Sequence, residues 1–198
     1  MVTIMNIYQT SLKFLEIASK CHEDVNQKFD DKPYSVHLSA VLEAALQYSQ
    51  YFPDDVNNYL DVIAFAACFH DTIEDARLTY NDVLKIATKE LGDKDKAVMA
   101  AEIVYALTNE KGRNRAERAN DKYYAGIRTT PFASFVKFCD RYANMKYAFA
   151  HKTSMAKKYA QELPHFIESL IDPKEHDYKF GVPIKLIIAV KSFVSETK

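Results

Sequence analysis

Glycine and proline are scarce in this chain, with four glycines and six prolines among its 198 residues. A protein built only from β-strands needs many more residues of both kinds, because its frequent tight turns depend on them. Apolar residues instead recur at intervals of three and four along nearly the whole chain, a spacing that is typical of amphipathic helices. The sequence therefore predicts an all-α fold, in which residues 1–198 form one domain, a single bundle of about nine helices.

Polar interruptions of this periodicity, together with the few prolines and glycines, predict where each helix begins and ends. Thr79 and Asp82 resemble a helix start of the capping-box type, and Gly92 indicates the end of the same helix. The predicted helices cover about residues 3–22, 34–52, 59–75, 79–91, 93–107, 115–127, 129–151, 154–171 and 184–194. The last of these is apolar enough to predict either a core helix or a contact between copies of the chain.

Cysteine is also rare, and the three residues Cys21, Cys68 and Cys139 are an odd number at scattered positions. This pattern argues against a disulfide framework and predicts reduced thiols that fill the core. The first twenty residues lack the charged start, apolar run and cleavage site of a signal peptide. Together these features predict a cytoplasmic protein.

The chain has little net charge, −1 with histidine neutral, and no long hydrophobic run. A nearly neutral protein has no strong field to attract nucleic acid, so we expect no nucleic-acid partner. No segment approaches the roughly 18 uncharged apolar residues that a membrane span requires, so we expect no membrane contact.

What the chain does have is an apolar stretch that ends in charge. Residues 62–69 are almost entirely apolar, yet they lead into His70 and Asp71 and, one turn later, into Glu74 and Asp75. Charged side chains are rarely buried unless they are paired or bind a metal. On one continuous helix, residues three and four apart face one region, but neighbours such as His70 and Asp71 point about 100° apart. The stretch therefore predicts an acidic pocket that other helices complete.

Two residues elsewhere are suited to complete this pocket. His37 lies on the inner face of the predicted second helix, and Asp140 follows another apolar run. Two imidazoles and two carboxylates suit Mn²⁺, Fe²⁺ or Zn²⁺ and leave positions for water and substrate. The alternatives are that His37 is a hydrogen-bonded core residue and that residues 70–75 form a solvated helix end.

Three motifs in this order carry a resemblance: PYSVHL at residues 33–38, HDTIED at 70–75 and CDRYANM at 139–145. The pattern resembles the HD superfamily of metal-dependent phosphohydrolases, and most closely the hydrolase domain of Rel/Spo alarmone enzymes and the small alarmone hydrolases. The likeness extends over about residues 5–170 and includes no counterpart of the alarmone synthetase domain.

The resemblance implies an activity, a metal and the residues that bind it. The implied activity is hydrolysis of the 3′-pyrophosphate of guanosine 3′,5′-bispyrophosphate, with a small-molecule nucleotide as the partner. A single Mn²⁺, with Fe²⁺ or Zn²⁺ as alternatives, is bound in this pattern by His37, His70, Asp71 and Asp140. Glu74 and Asp75 correspond to the catalytic pair that deprotonates water, a task for which a carboxylate one turn from the ion is suited.

The expected substrate-binding residues come partly from the resemblance and partly from charge. Tyr34 and Asn144 belong to the matching motifs, and Lys111 and Arg118 fall where related hydrolases place basic residues near the pyrophosphate. Lys28 and Phe29 stand where the family has an Arg-Lys pair, so Phe29 is expected to stack on a base instead. A helix over residues 115–127 would also align Arg115, Arg118 and Lys122 as a basic ridge.

Alternatives to these substrate assignments follow from the same residues. The basic ridge could be a solvated face that Glu117 and Asp121 neutralise. The enzyme could act on another nucleotide, such as a nucleoside triphosphate or a phosphorylated dinucleotide cofactor. A non-catalytic nucleotide sensor is a third interpretation, which intact Glu74 and Asp75 disfavour because a pure binder needs no pair of residues to activate water.

Overall fold

The computed structural model describes residues 4–109, 113–171 and 181–195. In these ranges the all-α prediction is confirmed, with nine helices of nine or more residues, two single-turn helices, one 3₁₀ helix at Asp54–Tyr59 and one two-stranded sheet. The helices are α1 (Ile4–Glu23), α2 (Ser35–Ser49), α3 (Leu60–Phe69), α4 (Thr72–Asp75), α5 (Tyr80–Leu91), α6 (Lys94–Leu107), α7 (Arg115–Arg118), α8 (Asp121–Thr129), α9 (Ala133–Ala150), α10 (Ser154–Leu170) and α11 (Ile184–Ser195).

Helix α3 is the central helix of the core. Every residue from Val62 to Phe69 is buried, and α1, α2, α6 and α9 surround the helix. The rings of Phe65 and Phe69 stack with their centroids 4.2 Å apart, and Phe14 of α1 packs edge-on against Phe65. A helix that is apolar on all sides is stable only inside a protein. Its carboxyl end therefore delivers His70 and Asp71 into the interior.

The predicted helix over residues 59–75 is wrong at its carboxyl end. Helix α3 stops at Phe69, and Asp71 has φ −103° and ψ 1°, outside the helical region, before α4 begins at Thr72. The hydroxyl of Thr72 donates a hydrogen bond to the Phe69 carbonyl at 2.7 Å. A threonine side chain that binds a nearby carbonyl offers the backbone an alternative to continued helix, which the apolar periodicity does not reveal.

The predicted helix over residues 115–127 is also wrong. It is divided into the single turn α7 and the helix α8, because the side-chain oxygen of Asn120 caps α8 by accepting from the Tyr123 backbone N–H. Arg115, Arg118 and Lys122 therefore do not share one continuous helix. Tyr123 and Ile127 of α8 are both buried.

The loop predicted between the first two helices contains a small hairpin. Strands β1 (Lys28–Phe29) and β2 (Lys32–Pro33) pair antiparallel, with Lys28 opposite Pro33.

The predicted capping of α5 is confirmed, since Thr79 and Asp82 form a reciprocal capping box. Gly92 ends α5 with φ +67°, a conformation that favours glycine.

Helix α11 packs against α9 with Leu186, Ile187 and Val190 buried, which confirms its predicted core role. Ile184 and Ile188 on the same helix are exposed, and the predicted contact between copies stays a prediction.

The three cysteines are free thiols, of which Cys68 and Cys139 are buried and Cys21 is half-buried. None of the helices in the described ranges combines the length and the apolar character needed to cross a membrane.

Candidate metal centre and its cleft

The four predicted ligands converge although they come from distant parts of the chain. His37 lies on α2, His70 and Asp71 lie at the junction of α3 and α4, and Asp140 lies on α9. The Nε2 atoms of the two histidines are 3.2 Å apart. Asp71 Oδ2 lies 2.9 Å from His70 Nε2 and 3.6 Å from His37 Nε2, and Asp140 Oδ1 lies 3.8 and 3.4 Å from the same two atoms.

These separations fit a single divalent ion. Ligand atoms about 2.0 to 2.2 Å from one ion lie about 3 to 3.6 Å from one another at tetrahedral or octahedral angles. His37, His70 and Asp71 form a group whose ligand atoms all lie within 4.8 Å of one another, with both histidines buried. Two nitrogen and two oxygen donors suit Mn²⁺, Fe²⁺ and Zn²⁺ alike.

The surroundings of the two histidines orient their rings. His70 Nδ1 lies 2.9 Å from the Ala67 carbonyl, which only accepts, so Nδ1 carries the proton and Nε2 keeps its lone pair. The ring of His37 is stacked on Phe29, with centroids 4.9 Å apart. Hydrogen bonding orients one imidazole, therefore, and ring packing orients the other.

The electrostatic field of the four groups favours a cation. Burial lowers the pKa of His37, but the hydrogen bonds and charges of Asp140 and Asp71 raise it to about 9. Burial raises the pKa of Asp140, but the charge of Lys137 and the hydrogen bond with His37 bring it well below its ordinary value. A field that retains protons on an imidazole and keeps carboxylates charged also attracts a divalent cation.

The predicted catalytic pair lies on α4 beside this centre, and its two carboxylates have different surroundings. Burial and the charges of Asp71 and Glu74 raise the pKa of Asp75 to about 6. Glu74 instead accepts hydrogen bonds from the side-chain amide of Asn109, at 2.9 Å on Oε1 and 2.7 Å on Oε2. Asn109 was missed by sequence reasoning, because nothing local marks a residue just after α6 as a partner of α4.

Tyr34 links the metal centre to the catalytic pair. Its hydroxyl donates to Asp71 Oδ2 at 2.5 Å and lies 3.4 Å from Asp75 Oδ2. The tyrosine ring is stacked on His22, with centroids 4.2 Å apart. His22 is fully buried, and neither of its ring nitrogens has a hydrogen-bond partner among the described residues. Burial lowers the pKa of this histidine to about 4.

A cleft of about 740 Å³ opens onto the centre. Its walls include the predicted residues Tyr34, Asp75, Arg118 and Asn144. They also include polar and aromatic residues that sequence reasoning missed, namely Asn109, Lys137, Arg141, Lys158, Tyr159 and His165. The volume lies within the range of about 300 to 1,000 Å³ that is typical of small-molecule sites.

Of the four other predicted substrate contacts, the structure describes the side chains of two. Lys28 and Phe29 do not line the cleft, and Phe29 packs between His37 and Tyr147. The stacking of a base on Phe29 therefore stays a prediction. Lys111 and the side chain of Arg115 lie outside the described residues.

Arg118 and Asn144 both line the cleft, and each is near a predicted acidic residue. The Nη1 atom of Arg118 lies 4.0 Å from Glu74, and the Asn144 amide donates to Asp140 Oδ1 at 2.5 Å.

Models of known protein families give no match to this chain, and a search of curated proteins gives no match either. Function is therefore inferred from the residues of the site and from the three sequence motifs.

Proposed function

We propose that this protein is a metal-dependent phosphohydrolase of the HD type that hydrolyses the 3′-pyrophosphate of guanosine 3′,5′-bispyrophosphate. The observation that supports it most is that Asp71 and Asp140 each have a carboxylate oxygen within 3.8 Å of both His37 Nε2 and His70 Nε2, which are themselves 3.2 Å apart. Two further carboxylates adjoin this group in a cleft of nucleotide size. The sequence motifs of the resemblance supply the reaction and the substrate.

A divalent ion bound by these four residues, with Mn²⁺ as the proposed metal, would neutralise phosphate charge and make a bound water more acidic. Asp75 is suited to accept the proton of the attacking water, because a pKa of about 6 lies near the working pH of a general base. The Tyr34 hydroxyl contacts the carboxylates of both Asp71 and Asp75 and so fixes their positions relative to each other. Asn109 fixes Glu74 beside them.

The proposed reaction transfers the pyrophosphoryl group from the ribose 3′ oxygen to water. The water oxygen forms a bond to the phosphorus attached to the ribose 3′ oxygen, and the 3′ O–P bond breaks. The ribose oxygen is the leaving group and takes a proton to become a hydroxyl, and the water that attacked becomes part of the pyrophosphate product. Arg118 and Lys137 line the cleft, and their positive charges are suited to offset the negative charge of the pyrophosphate.

A panel of nucleotides incubated with the purified protein and Mn²⁺ tests this proposal, with products separated by chromatography. We expect guanosine 3′,5′-bispyrophosphate to yield guanosine 5′-diphosphate and pyrophosphate. The matched control is Asp75→Asn, which keeps the shape of the side chain and removes the proton acceptor. Stoichiometric bound metal without turnover of any nucleotide would contradict the proposal and favour a sensor.

A second candidate function is hydrolysis of another nucleotide by the same metal chemistry. It is favoured by Lys28 and Phe29, which replace the family's Arg-Lys pair and do not line the cleft. Without that pair, guanine recognition in the family manner has no counterpart on this hairpin. The same panel distinguishes the two functions, because a preferred adenine or pyrimidine nucleotide would identify the second.

A further inference from the structure

The two candidate histidine ligands are held in place in different ways. His70 Nδ1 has the Ala67 carbonyl as a partner at 2.9 Å. The side chain of His37 is only 2% exposed, and its Nδ1 atom has no hydrogen-bond partner among the described residues. A histidine that binds a metal usually uses its second ring nitrogen for a hydrogen bond that fixes the ring. The orientation of His37 depends instead on the rings that pack against it.

Three rings in the described ranges contact that of His37. Those of Tyr34 and His70 meet it edge-on, at interplanar angles of 69° and 63°. That of Phe29 lies more nearly parallel to it, at 22°, with the centroids 4.9 Å apart. Since Tyr34 and His70 belong to the metal centre themselves, Phe29 is the support that comes from outside this centre.

Phe29 is in turn fixed by Tyr147 of α9. The two rings meet at an angle of 62°, with centroids 4.7 Å apart. The Tyr147 hydroxyl donates to Asp30 Oδ2 at 3.0 Å, and the Lys32 ammonium lies 4.9 Å from the centre of the tyrosine ring. Phe29 and Lys32 face each other across the hairpin, and Asp30 lies in the turn between them. Tyr147 therefore contacts three residues of the hairpin and fastens it to α9.

Helix α9 also carries a candidate ligand. Asp140 lies seven residues before Tyr147, which is close to two helical turns. The helix thus supplies one ligand directly and supports a second, His37, through Tyr147 and Phe29. Because one rigid helix provides both, the packing of the hairpin on α9 fixes the position of His37 relative to Asp140.

We propose that Phe29 and Tyr147 are positioning residues for the metal ligand His37, and that their packed rings replace the hydrogen bond that the second nitrogen of such a histidine usually makes. The inference rests on the metal centre of the proposed function, because it takes His37 Nε2 to bind the ion. Phe29 has this role rather than that of stacking on a base, since it does not line the cleft. Metal affinity therefore depends on a tyrosine that lies two turns along α9 from the nearest ligand.

The test measures the binding of Mn²⁺ alone to the full chain by competition titration. Phe29→Ala should weaken Mn²⁺ affinity about 10- to 100-fold, the usual scale for a group that orients a metal ligand. Tyr147→Ala should weaken it about two- to tenfold, the scale of one aromatic pair. Phe29→Tyr, which keeps the ring, should retain the wild-type affinity. The matched control is Tyr105→Ala, which removes an exposed ring of α6 that packs edge-on against Tyr80 and should change nothing.

A second measurement separates the orientation of the ligand from a general loss of stability. Co²⁺ bound in place of Mn²⁺ absorbs visible light in a way that depends on the geometry of its ligands. We expect Phe29→Ala to change this spectrum and Tyr105→Ala to leave it as in the wild type. Urea unfolding without metal gives the stability of each variant. Weaker binding with an unchanged Co²⁺ spectrum would mean that only stability was lost, and would overturn the positioning role.

Other results distinguish this inference from the proposed function. An unchanged Mn²⁺ affinity in Phe29→Ala overturns the inference, and Tyr147→Ala decides by the same criterion if Phe29→Ala does not fold. Weaker nucleotide binding at unchanged Mn²⁺ affinity also overturns it and identifies Phe29 as a base-stacking residue. If the wild type binds Mn²⁺ but hydrolyses no nucleotide, the proposed function fails, while the metal titrations still decide the inference. A wild type that binds no Mn²⁺ refutes both.

Discussion

The buried histidine behind Tyr34 should make the protein sensitive to mild acid. His22 is fully buried, and its pKa is lowered from 6.5 to about 4 because burial disfavours the charged ring. The folded state therefore binds this proton less readily than the unfolded state does. The stability that follows from a lowered histidine pKa is complete above pH 6.5 and is lost as the pH falls from 6.5 towards 4.

The size of this effect follows from the two pKa values of His22. Proton linkage with values of 6.5 and about 4 predicts that the free energy of unfolding decreases by about 2 kcal/mol between about pH 7.5 and pH 5. Asp75 acts in the opposite direction, because its raised pKa of about 6 makes its protonation favour the folded state in the same range. The contribution of His22 therefore emerges only when one variant is compared with the wild type at two pH values.

His22→Leu supplies this comparison, since leucine fills the site without a titrating group. Urea unfolding followed by circular dichroism, with EDTA present, gives the free energy of unfolding at about pH 7.5 and pH 5. We expect the variant to gain about 2 kcal/mol relative to the wild type on going to the lower pH. His151→Gln, at an exposed position, is the control and should show no such gain. A difference between His22→Leu and wild type that is equal at both pH values would refute the reasoning.

The remaining predictions concern the metal and the chemistry. His70→Ala should lose both bound Mn²⁺ and turnover, because it removes a buried ligand atom, and elemental analysis that finds stoichiometric metal would contradict the ligand set. Asp75→Asn and Glu74→Gln should retain metal but lose about 10²-fold or more in turnover, the usual scale of acid–base catalysis; near-normal rates in both would place water activation elsewhere. Tyr34→Phe should weaken Mn²⁺ affinity about 10- to 100-fold, because it removes the hydrogen bond that orients Asp71; unchanged affinity in a metal competition titration would count against this role.

Local sequence signals predicted the fold well wherever the structure depends on neighbouring residues. The capping box of Thr79 and Asp82 and the left-handed Gly92 delimit α5 as expected, because both are interactions within one turn of the backbone. The division of the predicted helix 115–127 at Asn120 was missed, because asparagine is also common as an ordinary polar residue on an exposed helix face. Periodicity alone does not distinguish a cap from such a residue.

The cleft shows a different limit of sequence reasoning. Lys158 and His165 on α10 line the same cavity as Arg118 on α7, and Arg141 of α9 packs against Tyr159 and Phe166 of α10 beside it. No spacing in the sequence relates these positions, since the contact depends on how separate helices pack. Helical periodicity and the apolar run before Asp140 made His37 and Asp140 candidates to complete the pocket of the HDTIED segment, and the order of the three motifs then assigned them as ligands.

The end of α3 at Phe69, which the sequence pattern did not predict, explains how the metal site forms. On a continuous helix the side chains of His70 and Asp71 would point about 100° apart, so they would not both reach one ion without help. In the structure α3 ends at Phe69, the backbone of Asp71 is not helical, and Asp71 Oδ2 lies 2.9 Å from His70 Nε2. After this break α4 begins at Thr72, and Asp75 at its end has Oδ2 3.4 Å from the Tyr34 hydroxyl. No proline marks this turn in the sequence, and the Thr72 hydroxyl, which donates to the Phe69 carbonyl, stabilises it.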